Sequence, residues 1–132
     1  MNRLESQGEV IIRKFCAVWE HGNVDAILAM MDPAIRYQNV PGPIMVGHEA
    51  VRAFIAPLVE TADLIEFIVT ALGVSDDRNT VLTERIDRLH YGEKVVELPL
   101  MGIFVVSGDL ITEWRDYGDS ALFAEQFRKL KG

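Results

Sequence analysis

Residues 80–91 read TVLTERIDRLHY and have the two unlike faces of a β-strand. Successive side chains of a strand point to opposite sides of the sheet, so residues two apart share a face. One face carries both apolar and charged side chains, namely Val81, Thr83, Arg85, Asp87 and Leu89. The stretch therefore predicts a strand that brings an arginine and an aspartate to the same side as a valine and a leucine.

The same alternation continues on both sides of this strand, from Asp63 onward. Polar turn sequences interrupt it at residues 76–79, 91–93 and 107–109. Short strands separated by such turns are typical of antiparallel sheets in which neighbours in sequence are neighbours in space. We expect four antiparallel strands in a meander, followed by a last helix over residues 120–131.

The N-terminal part of the chain has helical patterns instead. Residues 6–9, Ser-Gln-Gly-Glu, match a capping box, and the helix that follows is expected to end at His21-Gly22. Asn23 can cap a second, short helix. Asp32-Pro33 should stop that helix, because the residue before a proline avoids helical geometry.

An extended segment is expected between the second and third helices. Residues 34–39 predict a strand, and residues 40–43 (Val-Pro-Gly-Pro) predict a rigid loop. A stripe of apolar residues at helical spacing predicts the third helix, and its members are Val51, Phe54, Ile55, Leu58 and Val59. Pro57 interrupts this stripe, so we expect a kink or an early end there.

Helices followed by a meander of strands indicate an α+β fold with helices on one face of a curved, mixed or antiparallel sheet. A sheet that bends around a helix leaves a deep apolar pocket on its concave side. The chain has 132 residues and contains no linker-like, low-complexity or repeated segment. We therefore expect a single domain over residues 1–132.

Composition disfavours several classes of partner. The 13 Lys and Arg against 20 Asp and Glu give a formal net charge of −7, which argues against nucleic acid and anionic membranes. No window approaches a membrane span, and the first residues lack the apolar core of a secretory signal. Cys16 is the one cysteine, so an intrachain disulfide cannot form and a cytoplasmic location is expected. His21, His48 and His90 lack the spacing of metal ligands, so no metal site is expected.

The other strands are expected to add groups to the same concave side. In the last strand one face would be shared by Leu110, Thr112, Trp114 and Asp116. Tyr37 and Asn39 share a face of the first strand. Residues 94–106 present an almost wholly apolar face, made of Val96, Leu98, Leu100, Gly102, Phe104 and Val106. The predicted cavity is therefore apolar and contains an arginine, two aspartates, a phenol and an amide.

This combination of groups has two explanations. Burying charge is costly unless the charge is paired, so Arg85, Asp87 and Asp116 either form a structural salt-bridge network or have a chemical use. An arginine between two carboxylates favours one shared proton, which makes one aspartate an acid and the other a base. Tyr37 and Asn39 can hold a water beside ionised Asp116. That water could attack a strained electrophile while protonated Asp87 gives its proton to the departing oxygen.

Three stretches of the chain occur in a recognisable order with compatible spacing: YQNVP at residues 37–41, ERID at 84–87 and ITEWRDY at 111–117. Together they resemble the limonene-1,2-epoxide hydrolases, a family of the NTF2-like/SnoaL-like superfamily of cone-shaped α+β proteins. The order of elements also agrees, from about Val10 to Phe123. The resemblance implies one-step hydrolysis of a small apolar epoxide to a vicinal diol, by a homodimer without metal or organic cofactor.

The resemblance also implies a role for each polar group of the cavity. Asp116 would be the base and Asp87 the acid, with Arg85 linking the two. Tyr37 and Asn39 would hold the water that is added.

One position departs from the family pattern. The limonene enzymes carry a bulky aromatic residue after the tyrosine, whereas this chain has Gly118. We therefore expect a cavity that is wider near Asp116 and accepts epoxides larger than limonene oxide, including aryl epoxides. Its apolar wall is expected to consist of Leu89, Leu98, Leu100 and Trp114.

The same scaffold hosts other functions, so alternatives stay open. A SnoaL-like or ketosteroid-isomerase-like isomerase or cyclase needs one aspartate base and an oxyanion donor. Such an enzyme has no need for an arginine between two carboxylates, so Arg85 favours the hydrolase. A non-catalytic module that binds a small ligand would keep the polar groups as a structural network.

Overall fold

Three helices and two strands form the first part of the chain in the computed structural model, which describes residues 6–131. Their bounds are α1 (Gln7–Val18), α2 (Val24–Ala29), β1 (Met31–Val40), β2 (Ile44–Val46) and α3 (Gly47–Thr61). Ser6 caps α1 by accepting a hydrogen bond from the Glu9 N–H at 3.0 Å. A 3-10 turn extends α1 to His21, and Gly22 ends it in the left-handed conformation, with φ 63°. The predicted start and end of this helix are confirmed.

Four strands and a helix follow. They are β3 (Leu64–Val74), β4 (Thr80–Tyr91), β5 (Lys94–Ser107), β6 (Leu110–Gly118) and α4 (Ser120–Lys131). Each strand from β3 to β6 pairs antiparallel with the next one along the chain. The predicted meander and the last helix are therefore confirmed.

The sheet has the strand order β2-β1-β6-β5-β4-β3. β1 is parallel to β6, in a register that sets Tyr37 level with Trp114 and Asn39 level with Asp116. β2 pairs antiparallel with the other edge of β1. The mixed sheet and the α+β class are as predicted, but β2 was not foreseen, because three residues are too few to show an alternating pattern.

Two boundaries differ from the prediction. α2 ends at Ala29, and Asp32-Pro33 lies inside β1 instead of stopping the helix. The pairing of β1 with β6 shifts register between Met31 and Arg36, so Pro33, which lacks an N–H, falls where the ladder is irregular. α3 does not end early at Pro57 but continues to Thr61, whose hydroxyl donates to the Pro57 carbonyl at 2.6 Å.

Burial alternates along β4 and β5 as predicted. β6 differs, because Ile111 and Trp114 are both buried although they are three residues apart. Val106 pairs with Ile111 and Val105 with Glu113, which leaves Thr112 as the extra residue of a bulge. The prediction that Leu110 and Thr112 share a face with Trp114 is therefore wrong.

The concave face of the sheet packs against α1 and α3. Phe15 of α1 meets Phe104 and Trp114 edge to face, with ring centroids 5.8 Å and 5.2 Å away. α3 buries Val51, Ile55 and Val59. Within residues 6–131, no helix is long and apolar enough to cross a membrane.

Candidate active site

The centre of the concave face is a buried guanidinium. Arg85 and Asp87 are two residues apart on β4 and therefore share its inner face. Arg85 Nε donates to Asp87 Oδ1 at 3.0 Å, and Nη2 donates to Oδ2 at 2.9 Å. The Arg85 side chain is 0% exposed, so water screens this pair very little.

The same guanidinium also binds the carboxylate of Asp116, which lies on β6. Arg85 Nη1 donates to Asp116 Oδ1 at 3.2 Å, and Nη2 donates to Oδ2 at 3.0 Å. Trp114 adds a third hydrogen bond, from its indole Nε1 to Asp116 Oδ1 at 2.7 Å. We call Arg85, Asp87 and Asp116 the Asp–Arg–Asp group.

Burial dominates the protonation of this group. It raises the pKa of Asp87 to about 6, with the Arg85 charge and hydrogen bonds opposing the shift. It also raises the pKa of Asp116, against the opposing effect of Arg85 and the Trp114 hydrogen bond. Burial alone would lower the pKa of Arg85, but the two carboxylates outweigh it and the pKa is raised. The arrangement therefore favours a charged arginine with one ionised and one protonated carboxyl.

β1 adds a phenol and an amide beside Asp116. The parallel register brings Tyr37 next to Trp114, and their rings stack with centroids 3.9 Å apart. Burial raises the pKa of Tyr37 well above its ordinary value, so the phenol stays neutral. Asn39 lies level with Asp116 on the neighbouring strand. A neutral phenol and an amide both offer a donor and an acceptor to a water.

These groups face a cavity of about 420 Å³. The cavity is lined on its polar side by Asp87, Asp116, Tyr37 and Asn39. Arg85 lies behind the two carboxylates and does not line the cavity. The four residues expected to form its apolar wall all line it, namely Trp114, Leu89, Leu98 and Leu100.

Gly118 is absent from the lining of this cavity. It lines a separate depression that shares Asn39, Asp116 and Phe123 with the cavity, and the wider cavity expected from Gly118 stays a prediction. A Cβ built on Gly118 would collide with the ring of Phe123, and Cε2 of that ring would be 3.0 Å away. Phe123 comes from α4 and itself lines the cavity. The space that an aromatic residue at 118 would fill is therefore taken by an aromatic ring from the next element.

Apart from Trp114 and Tyr37, the aromatic residues of the wall were not predicted from the sequence. One of them is Phe67 of β3, and the others lie outside the strands, namely Trp19, Phe54, Phe123 and Phe127. Phe123 and Phe127 are four residues apart, which is the spacing of one helix face, and this was the available signal. The role of Trp114 as a hydrogen-bond donor was also missed, although its position two residues before Asp116 placed both on one face.

No group of three or more His, Cys, Asp or Glu side chains within residues 6–131 is placed to hold a metal ion. The charged side chains of the cavity are instead committed to Arg85.

Comparison with known proteins agrees with this geometry. The family model described as the limonene-1,2-epoxide hydrolase catalytic domain matches residues 7–128. An LEH-like epoxide hydrolase from M. tuberculosis has a TM-score of 0.78 at 23% identity, with 93% of this chain and 90% of that chain covered.

Two further solved structures have the same fold at lower identity. A putative polyketide cyclase from Xanthomonas campestris has a TM-score of 0.79 at 16% identity, over 91% of this chain and 96% of that chain. The epoxide hydrolase/cyclase-like enzyme SalBIII, described in pyran ring formation in salinomycin, has a TM-score of 0.77 at 16% identity. The match covers 87% of this chain and 92% of that chain. The predicted α+β fold is confirmed, and at these identities the likeness shows the fold alone.

Proposed function

Because the chain belongs to the limonene-1,2-epoxide hydrolase family, we propose that it adds water to an epoxide in one step and releases a vicinal diol. The observation that carries this proposal is one buried guanidinium that holds two carboxylates, both of which line an apolar cavity. Ring opening of an epoxide needs a proton for the departing oxygen and a base for the attacking water. A pair of carboxylates in different protonation states supplies both.

The number of donors assigns the two roles. Asp116 accepts three hydrogen bonds, two from Arg85 and one from Trp114, whereas Asp87 accepts two from Arg85. Hydrogen bonds to a carboxylate favour its ionised form. We therefore assign the base to Asp116 and the acid to Asp87.

The proposed step balances without a covalent intermediate. Tyr37 and Asn39 hold the water, and Asp116 takes one of its protons as the water oxygen bonds to an epoxide carbon. The carbon–oxygen bond of the ring breaks, and Asp87 gives its proton to the departing oxygen. The net result moves one proton from Asp87 to Asp116, so a return transfer through solvent restores the starting state.

The cavity supports a small apolar substrate. Aromatic and aliphatic side chains form most of its wall, and a volume of about 420 Å³ falls in the usual range of small-molecule sites. Terpene-sized and aryl epoxides match this size and polarity. We also propose the homodimer, the absence of a cofactor and the cytoplasmic location that the sequence indicated, with residues 1–132 as one domain. The exposed apolar pair Met101 and Tyr117 on the outer face of the sheet supports the dimer.

A single-turnover reaction in heavy-oxygen water tests the proposal. Enzyme in excess over an aryl or terpene epoxide should give diol that carries one heavy oxygen in the first turnover. Asp116→Asn and Asp87→Asn should each lower the rate by at least about a hundred-fold, the usual loss when an acid or base is removed. Asp76→Asn, in the exposed turn before β4, is the matched control and should keep the wild-type rate.

Other outcomes identify other functions. Unlabelled diol in the first turnover would mean that an enzyme carboxylate attacks the epoxide and would contradict the one-step route. A cyclic ether formed from a hydroxy-epoxide, without diol, would indicate a cyclase that uses a substrate hydroxyl in place of water. Binding of epoxides without turnover, unaffected by Asp116→Asn, would indicate a binding module.

A further inference from the structure

The inner face of β5 has a gap in its row of large side chains. Leu98, Leu100 and Phe104 are buried on this face, and Gly102 lies among them. Gly102 pairs with Thr83 of β4 on one side and with Asp116 of β6 on the other. The gap therefore lies in the row that separates the two carboxylate-bearing strands.

The Arg85 guanidinium crosses β5 at this gap. Arg85 starts on β4 and must pass over β5 to bind Asp116 on β6. A Cβ built on Gly102 would collide with Arg85 Nη1, and it would lie 2.6 Å from Asp116 Oδ1 and 3.1 Å from Thr83 Oγ1. Any side chain at this position would thus occupy the space where the ion pair forms.

The backbone does not require glycine here. Gly102 is not among the glycines with positive φ, so alanine can adopt its conformation. The reason for glycine is therefore the space that its missing side chain leaves.

We propose that Gly102 is a positioning residue of the Asp–Arg–Asp group, because it leaves the space through which Arg85 reaches Asp116. Its importance for turnover rests on the hydrolase function proposed above. The contact with Asp116 depends on this space more than the contact with Asp87 does, since Asp87 lies on the same strand as Arg85 and binds Nε and Nη2.

Displacing the guanidinium would change the hydrogen bonds and the pKa of Asp116. Asp116 would lose the donors of Arg85. Its Oδ1, which accepts from Trp114 Nε1, would also be crowded by the new Cβ, so both effects disfavour the ionised carboxylate. Among residues 6–131, Asp116 also interacts with Asp87 on β4, Tyr37 on β1 and the neutral thiol of Cys16 on α1. Loss of a cation beside a buried carboxylate raises its pKa further.

Gly102→Ala tests the proposal, with Gly73→Ala as the matched control. Gly73 is also a strand glycine, in β3, and a Cβ there meets no atom within 4 Å. Carbon-13 NMR should show the titration of the Asp116 carboxyl shifted up by at least about one pH unit in Gly102→Ala, which is a factor of ten in its ionisation. The lower limb of the pH profile for kcat/KM should move with it. Gly73→Ala should leave both unchanged.

A second variant separates collision from general damage to the sheet. Arg85→Lys removes the forked guanidinium, so adding Gly102→Ala to Arg85→Lys should change the Asp116 titration by less than about a third of the shift seen in the wild-type background. Equal shifts in the two backgrounds, or no shift in either, would overturn the proposal. If Gly102→Ala alone does not fold, Gly102→Ala is combined with both Arg85→Lys and Asp116→Ala, which shorten or remove the two colliding groups. Restored folding supports the collision, and continued failure, when Arg85→Lys/Asp116→Ala without the glycine change does fold, rules it out. The titration needs no turnover, so an inactive wild type would count against the proposed function and leave this test intact.

Discussion

The indole of Trp114 links the aromatic core to the carboxylate of Asp116. Its ring lies between Tyr37 and Phe104, with centroid distances of 3.9 Å and 5.6 Å, and its N–H donates to Asp116. Trp114 is 1% exposed, so this hydrogen bond forms in a medium of low polarity. A single side chain therefore contributes packing to the fold and a donor to the carboxylate.

We expect Trp114→Phe to preserve the ring stack but make Asp116, the proposed base, harder to ionise. Loss of a hydrogen bond to a charged group should raise the pKa of Asp116 and lower kcat/KM about ten-fold near neutral pH. The pH profile of kcat/KM should show the lower limb displaced to higher pH.

Trp19→Phe is the matched control for this change. Trp19 also lines the cavity, but its Nε1 has no hydrogen-bond partner within residues 6–131. Its replacement should therefore leave the lower limb where it is. A profile that shifts equally in both variants would show that ring volume matters and the Trp114 donor does not.

At the scale of elements, α4 forms one wall of the cavity while it stays largely exposed. None of its residues is fully buried, and Phe123 and Phe127 are its side chains that line the cavity. Phe123 rests against Gly118, where a Cβ would obstruct its ring. The position of this wall thus depends on a glycine in β6 and a phenylalanine in the next helix.

We expect Phe123→Ala to enlarge the cavity beside Asp116. The ratio of kcat/KM for a bulky aryl epoxide to that for a small aliphatic epoxide should rise about ten-fold, the scale of one to two kcal/mol of changed fit. Leu122→Ala, on the neighbouring and more exposed position of α4, should leave the ratio unchanged. An unchanged ratio in Phe123→Ala would mean that this ring does not limit substrate size.

The elements also show which parts of the fold the residues alone could predict. Long alternating strands such as β4, and the capping box at Ser6, carry their own local signal, and both were predicted correctly. The bulge at Thr112, the three-residue β2 and the continuation of α3 through Pro57 depend on partners elsewhere in the fold, and local patterns do not contain them.

The same distinction applies to the site. Arg85 and Asp87 lie on the same face of the sheet because they are two residues apart on one strand. That Arg85 reaches Asp116 across Gly102, and that helices supply the aromatic wall, depends on strand order and helix packing. The Phe123 ring occupies the space beside Gly118 that a side chain at position 118 would fill, and neither spacing nor composition could predict this.

At the scale of the whole molecule, burial of the Asp87 carboxyl makes the free energy of unfolding depend on pH. The pKa of Asp87 is about 6 in the folded protein and 3.8 in the reference state. Between these values the folded protein binds a proton that the unfolded chain has released, so folding is favoured at the lower pH. The stabilisation from Asp87 is complete below pH 4 and is lost as the pH rises through 6.

Unfolding in urea at several pH values tests this linkage. The free energy of unfolding of the wild type should fall relative to that of Asp87→Asn as the pH rises from 4 to 7, by up to about 3 kcal/mol. Asp87→Asn lacks the titrating group, so the difference between the two curves isolates it. Asp76 is exposed in a turn, so the curve of unfolding free energy against pH for Asp76→Asn should run parallel to that of the wild type. Parallel curves for Asp87→Asn as well would show that Asp87 does not titrate in this range.

The parallel pairing of β1 with β6 affects how the protein can fold while it is being synthesised on the ribosome. Tyr37 and Asn39 are synthesised well before Trp114 and Asp116, which lie beside them in the folded sheet. Until then β1 lacks its central neighbour, and Arg85 has only one of its two counter-charges. Contacts between residues far apart in sequence also form slowly, since closing the intervening loop costs entropy first. A nascent chain therefore contains most of its sheet before it contains the complete Asp–Arg–Asp group.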